Sequence, residues 1–180
     1  SKGAAGMREA AAYCCYLGLG SNLGQREDVL DEALRQLSSA PGIELRQVSS
    51  YYETAPWGVT QQPAFLNAAA EVRTMLELPE LLAVCQQIEQ QLGRVRKEKW
   101  GPRAIDIDLL FAPGHPSDTP ELRLPHPYLK QRAFVLVPLA ELAPEVIFDG
   151  HSFAWWRDAC ADSGSVRKIL PKGRDLLKKG

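Results

Sequence analysis

The stretch Arg94–Phe111, RVRKEKWGPRAIDIDLLF, sets a run of positive charge directly ahead of two alternating carboxylates. Its second half has the period of a β-strand: Ile105, Ile107, Leu109 and Phe111 alternate with Asp106 and Asp108. Both acids therefore share one face, and residues two apart on a strand are separated by roughly 6.5–7 Å. Oxygens so placed can converge on one hard cation or bridge two held about 4 Å apart, and oxygen donors suit magnesium. The first half supplies Arg94, Arg96, Lys97, Lys99 and Arg103, interrupted only by Glu98, and is expected to form a loop. Trp100-Gly101-Pro102 makes a stiff joint between that loop and the strand, because proline restricts itself and its predecessor. An Asp-x-Asp strand is also what a solvated sheet face looks like, and charged loops are ordinarily surface. Adjacency, opposite sign and a rigid joint together favour a magnesium–polyphosphate site.

Outward from this stretch, the pattern predicts alternating strands and helices. Tyr13–Leu19 is an apolar strand running into a turn at Gly18-Leu19-Gly20-Ser21-Asn22, and Ser21 or Asn22 can cap the next helix. Gly18, Gly20 and Gly24 give GxGxxxG rather than a dinucleotide fingerprint, and no Walker lysine follows. They read as turn glycines that let backbone approach whatever lies above the sheet. Val29, Leu30, Ala33, Leu34 and Leu37 repeat at helical spacing over 26–38. Pro41-Gly42 ends that helix, and a second strand is expected from Ile43 to Thr54.

Residues 54–63, TAPWGVTQQP, form a turn-rich segment carrying a tryptophan, either a substrate lid or a connector packed on the core. Phe65–Thr74 is a third strand, on which Phe65 and Asn67 share a face. A ring and an amide so spaced can hold a flat heterocycle, one by stacking and the other by paired hydrogen bonds. A helix follows from Pro79 and is expected to end at Gly93. The order β-α-β-β-α-β, with the two acids on the fourth strand, argues an α+β, ferredoxin-like sandwich with a largely antiparallel sheet and a C-terminal extension. Phe134–Leu139 is a further buried element, Phe153, Trp155 and Trp156 suggest a packed helix, and the end from Lys168 reads as a solvated tail.

Size and composition bound the rest. The 180 residues are 45% hydrophobic, enough for one cored domain, taken as 13–160 with flanking segments 1–12 and 161–180. A net charge of −1 from 21 basic and 22 acidic residues gives no overall field toward nucleic acid or an anionic membrane. Cys14, Cys15, Cys85 and Cys160 lack metal-ligand spacing and fit a reduced, cytoplasmic protein. No apolar run reaches the ~20 residues of a membrane helix, and the N-terminus carries no signal-peptide pattern.

Taken together the motifs resemble the 6-hydroxymethyl-7,8-dihydropterin pyrophosphokinase family over roughly Tyr13 to Gly150. The resemblance rests on Gly18-Leu19-Gly20-Ser21-Asn22, Tyr52-Glu53-Thr54-Ala55-Pro56 and Phe65-Leu66-Asn67-Ala68. It rests further on Gly93-Arg94-Val95-Arg96, Trp100-Gly101-Pro102-Arg103, Asp106-Ile107-Asp108, Leu124-Pro125-His126-Pro127 and Arg132-x-Phe134. It implies transfer of pyrophosphate from ATP to the hydroxymethyl group of the pterin with release of AMP, in folate biosynthesis. By the same resemblance Asp106 and Asp108 hold two Mg2+ ions, and Arg94 and Arg103 join them as catalytic groups on the phosphates. Gln86, Glu89, Arg96, Trp100, Leu109, His126 and Arg132 match the ATP side. Phe65 and Phe134 would sandwich the pterin, with Thr54, Ala55, Trp57 and Asn67 reading its edge. Phe65 stands where the family often has tyrosine, which keeps the ring and loses the hydroxyl, and the residues around Glu121 and Arg123 match poorly.

Partners on this reading are the two small molecules, with no nucleic acid and no membrane, and the chain is expected to be a monomer. Three alternatives stay open: an RNA-binding module using the basic stretch, a non-catalytic ligand sensor, and a nucleotidyltransferase that releases pyrophosphate instead of AMP.

Overall fold

The structure, a computed structural model, describes residues 11–21, 26–54, 65–100 and 105–169. Strand β1 (Tyr13–Ser21) leads to helix α1 (Arg26–Ser39), then β2 (Ile43–Val48), β3 (Tyr51–Thr54) and β4 (Phe65–Thr74). Helix α2 (Leu78–Trp100) precedes β5 (Asp106–Phe111), and a small hairpin of β6 (Ser117–Asp118) and β7 (Arg123–Leu124) follows. Helix α3 (Ala133–Leu142), hairpin strands β8 (Ile147–Phe148) and β9 (His151–Ser152), helix α4 (Phe153–Ala159) and strand β10 (Arg167–Ile169) complete the order. The result is a mixed fold of helices on an antiparallel sheet.

The main sheet has six strands in the order β10-β3-β4-β1-β5, with β2 also paired to β4. Alternation along the central strands sorts side chains into two cores. Cys15, Leu17 and Leu19 of β1, with Leu66, Ala68, Ala70 and Val72 of β4, pack against Val29, Leu30 and Leu34 of α1 and Leu81, Cys85 and Ile88 of α2. Tyr16, Ala69 and Leu110 point to the opposite face, where α3, Phe148 of β8 and Phe153 of α4 cover them. Each leucine so buried contributes about 1.5–3 kcal/mol relative to exposure.

Several expectations shift. The strand expected from Ile43 to Thr54 is broken at Ser49–Ser50, because the buried Ser49 enters the ladder with its side chain. Its Oγ accepts the Ala69 N–H at 2.9 Å while its own N–H donates to the Ala69 carbonyl at 2.9 Å. Gly18 and Gly20 lie inside β1, which runs on to Ser21, and not in a turn.

Helix α2 opens with the Glu80 carboxylate accepting the Glu77 N–H at 2.9 Å, half of a capping box. It passes through Gly93 to Trp100, so Arg94, Arg96, Lys97 and Lys99 lie on helical backbone and not in a loop. A mid-helix glycine costs only about 1 kcal/mol, and the basic residues beyond it suit the negative end of the helix dipole. The buried run Phe134–Leu139 is the body of α3. Helix α4 follows the expectation for Phe153–Trp156, capped by Ser152 Oγ accepting the Trp155 N–H at 3.0 Å. Lys168 is exposed, but it belongs to β10 on the sheet edge. Among the described residues no helix is long and apolar enough to cross a membrane.

Candidate active site

The strand register brings together residues far apart in sequence. Tyr52 pairs with Asn67, Asn67 with Gly20 and Gly20 with Asp106, so one row crosses β3, β4, β1 and β5. In the next row Ala69 pairs with Gly18 and Gly18 with Asp108. These residues face the same side as Phe65 and Thr54, themselves paired. Helices α3 and α4 cover the far end of this face, over Tyr16, Ala69 and Leu110. At the near end the central strand offers a glycine floor between Asn67 and Asp106, whose backbones are two strands, about 10 Å, apart.

Each side of that floor is built differently. On the β4 side Asn67 is 8% exposed and folds over Gly20, its Nδ2 donating to the Leu19 carbonyl at 3.4 Å. A Cβ on Gly20 would sit 2.6 Å from that Nδ2, so here glycine is required by space and not by backbone dihedral. Asn67 Oδ1 and Thr54 Oγ1 are buried with no hydrogen-bond partner among the described residues. Buried polar atoms normally find partners, so two such atoms beside the 40%-exposed ring of Phe65 mark a place for a polar, flat ligand.

On the β5 side lies a cleft of about 970 Å³ along the outer edge of that strand, between α2 and the segment 120–132. Gln86, Glu89, Asp106, Asp108, His126 and Arg132 all line it, as does Leu109. Glu89 Oε2 accepts the Ile107 backbone N–H at 2.6 Å, which fixes the strand between the two acids. The His126 N–H donates to the Leu110 carbonyl at 2.8 Å, and its Nδ1 accepts the Tyr128 N–H at 3.2 Å. That bond leaves Nε2 as the protonated nitrogen. Burial lowers the His126 pKa below the ordinary value; Arg132 lowers it further and Asp108 opposes both. The imidazole is thus a neutral donor.

The Arg132 guanidinium lies 5.2 Å from the Tyr128 ring centre and 5.8 Å from that of Phe134, at the start of α3. Burial first, then Glu89 and Asp108, push the Cys85 thiol up to about 12, so this cysteine is inert packing and not a nucleophile.

Among the described residues no group of three or more His, Cys, Asp and Glu side chains converges as a metal cage. The two β5 carboxylates alone fit a cation that takes its other ligands from water and phosphate oxygens, which is the habit of Mg2+. Arg94, Arg96 and Trp100 fall on the last turns of α2, their side chains outside the described part, and Ala55, Trp57 and Arg103 lie outside the described residues.

The sequence misplaces one contributor and is silent on two. The close backbone approach read for Gly20 is made from within a strand and not a turn, and the signal for that is a glycine two residues from another inside an apolar strand. Tyr52 and Glu141 join across 89 residues, the Tyr52 hydroxyl donating to Glu141 Oε1 at 2.7 Å, which ties α3 to β3. Glu141 also accepts the Ser50 N–H and hydroxyl, each at 3.0 Å. No local pattern announces such a contact.

Comparison with known proteins identifies the family. The family model described as 7,8-dihydro-6-hydroxymethylpterin-pyrophosphokinase matches residues 16–144. A 2-amino-4-hydroxy-6-hydroxymethyldihydropteridine pyrophosphokinase of Methylorubrum extorquens is 49% identical over 156 residues, covering 86% of this chain and 97% of the relative. A protein of the same name from Bacillus subtilis is 45% identical over 131 residues, 73% of this chain and 78% of the relative. Among solved structures, an HPPK-DHPS triple mutant of Plasmodium falciparum superposes with a TM-score of 0.69 at 15% identity. That match covers 83% of this chain but 44% of the other, so the chain spans less than half of that protein, and the likeness is one of fold. With the matched span running from β1 through β5 to the end of α3, the chain belongs to the 7,8-dihydro-6-hydroxymethylpterin-pyrophosphokinase family.

Proposed function

We propose that the glycine-floored face and the adjoining cleft are where this chain carries out the reaction of its family. That reaction transfers pyrophosphate from ATP to the hydroxymethyl group of 6-hydroxymethyl-7,8-dihydropterin and releases AMP, in folate biosynthesis. The observation that carries the assignment is the single row Tyr52–Asn67–Gly20–Asp106, which sets an unsatisfied amide and a carboxylate on either side of bare backbone.

Asp106 and Asp108 would hold two Mg2+ ions, which when bound neutralise phosphate charge. Arg94 and Arg103 are the catalytic cations proposed for the phosphates, with Arg96 and Trp100 beside them on the ATP side. Gln86, Glu89, Leu109, His126 and Arg132 form the nucleotide wall. The neutral His126 offers Nε2–H to a phosphate or ribose oxygen, and Arg132 supplies fixed positive charge. Phe65 and Phe134 hold the pterin ring, and Thr54, Asn67 and the backbone at Ala55 and Trp57 read its edge, filling the two orphaned acceptors.

The chemistry needs alignment and charge neutralisation more than a covalent catalyst. The pterin hydroxyl oxygen bonds to the β-phosphorus and gives its proton to solvent water, the bond from that phosphorus to the α,β-bridging oxygen breaks, and AMP leaves opposite. Asp108 is the residue proposed to orient the hydroxyl.

The strand order and the helices α1 and α2 on one face support a ferredoxin-like core within one domain of residues 13–160. Four free cysteines support a reducing, cytoplasmic compartment, and a monomer is the proposed state. Incubation with ATP, Mg2+ and the hydroxymethyl pterin should yield AMP and a pyrophosphorylated pterin. Free pyrophosphate with an adenylylated pterin, or no AMP at all, would overturn the assignment.

A further inference from the structure

We infer that β10, from outside the matched span, positions the pterin wall of the site. Strand β3 is four residues long, and its last residue, Thr54, carries one of the two orphaned acceptors. On one side β3 is held to β4 by Tyr52, Glu53 and Thr54. On the other side it is held by β10, where Arg167 pairs with Glu53, Lys168 with Tyr52 and Ile169 with Tyr51. Such a short strand on a single partner is marginal, so the second partner fixes it.

Ile169 packs against the α1/α2 core beside the fully buried Tyr51, and the Arg167 guanidinium pairs with Glu53. Since Arg167 is 75% exposed, that ion pair adds little by itself, and the backbone ladder carries the hold. The same C-terminal segment passes α3 through the turn Ser163–Ser165, and α3 begins with the ring-bearing Phe134. One segment thus touches both elements that would grip the pterin. The nucleotide cleft lies at β5, on the opposite edge of the sheet.

The consequence is a split between ligands. This inference rests on assigning Thr54, Phe65 and Asn67 to the pterin, so the test carries its own control. In the full chain, Arg167→Pro removes the N–H that this edge strand turns toward Glu53, since the Tyr52 amide already faces Asn67, and so breaks the ladder with β3. If the competent arrangement of β3 drops to about a tenth of the population, the pterin Kd rises about tenfold. Calorimetric titration should find that rise for the hydroxymethyl pterin, with the Kd of a non-hydrolysable ATP analogue with Mg2+ unchanged. Arg167→Ala should give a smaller effect in the same direction, reversed by Arg167→Lys; this pair decides the matter if Arg167→Pro does not fold.

Unchanged pterin affinity in Arg167→Pro, or equal loss of both ligands, overturns the inference. Phe65→Ala separates the two layers. Weakened pterin binding there, beside unaltered binding in Arg167→Pro, removes only the role of β10; unaltered binding in Phe65→Ala removes the pterin wall and the inference with it.

Discussion

Glu89 on α2 accepts the backbone N–H of Ile107 at 2.6 Å, so the helix holds the strand at the point between Asp106 and Asp108. Strand β5 ends the sheet on that side, and an outward N–H there needs a partner. Glu89→Ala should lower stability by about 1–3 kcal/mol by leaving that donor unsatisfied. Glu89→Gln still offers an oxygen and should retain most of the stability and activity. Urea denaturation of the three proteins decides: an alanine variant as stable as the parent means that Glu89 does not hold the strand.

Gly20→Ala tests the floor of the site. Its Cβ would stand 2.6 Å from Asn67 Nδ2, so the amide must rotate or move. At Gly18 the nearest atom is Leu110 Cδ1 at 3.2 Å, a contact that a small side-chain shift relieves. The alanine at 20 should therefore weaken pterin binding by about an order of magnitude, one misplaced polar contact being worth about 1–2 kcal/mol. The alanine at 18 should cost less. Titration with the pterin ranks the two, and the reverse order would refute the role of Asn67.

What could be read in advance follows the range of the interactions. Strand and helix periodicity declared β1, β4, β5 and α1, and Asp106-x-Asp108 declared its shared face, because alternation is local. Loops and breaks were harder. Gly93 looked like a helix end, yet the residues after it favour helix more than one glycine opposes it. Ser49 interrupts a strand through its own side chain, which no period reveals. The Glu89–Ile107 and Tyr52–Glu141 contacts join elements through the fold, and only the register of three strands sets Asn67 across from Asp106. The placement of β10 on β3 had no local signal beyond Ile169.

Asp106→Ala or Asp108→Ala should lower the rate of AMP formation by about 10³-fold, the scale of a lost electrostatic group in phosphoryl transfer. Asp108 is exposed and Asp106 half-buried, so neither substitution opens a core cavity and the thermal midpoint should hold. Magnesium titration in the presence of an ATP analogue should show weakened binding in both. Near-parental turnover in either variant would remove its carboxylate from the metal site.

Tyr52 ties the pterin side to α3, and alkaline unfolding should report it. Its hydroxyl is buried and donates to Glu141, and burial first, then that bond and the Glu141 charge, raise its pKa well above the ordinary 10.0. A raised pKa means that the unfolded chain loses this proton first. The stabilisation is therefore complete below pH 10.0 and is lost as pH climbs toward the folded value. Tyr13 and Tyr16, each pushed up to about 12 mainly by burial, add slope of the same sign. Tyr52→Phe should cost about 1 kcal/mol at neutral pH, the worth of a hydrogen bond, with Ser50 still donating to Glu141. Between pH 10.0 and about 12 its stability should then fall less steeply than that of the parent, since one proton no longer distinguishes the two states. Urea midpoints measured for both proteins across that interval give the difference directly, with lysine titration common to the two. Parallel curves would mean that the phenol ionises as freely in the folded chain as outside it, and that Glu141 does not hold β3 to α3.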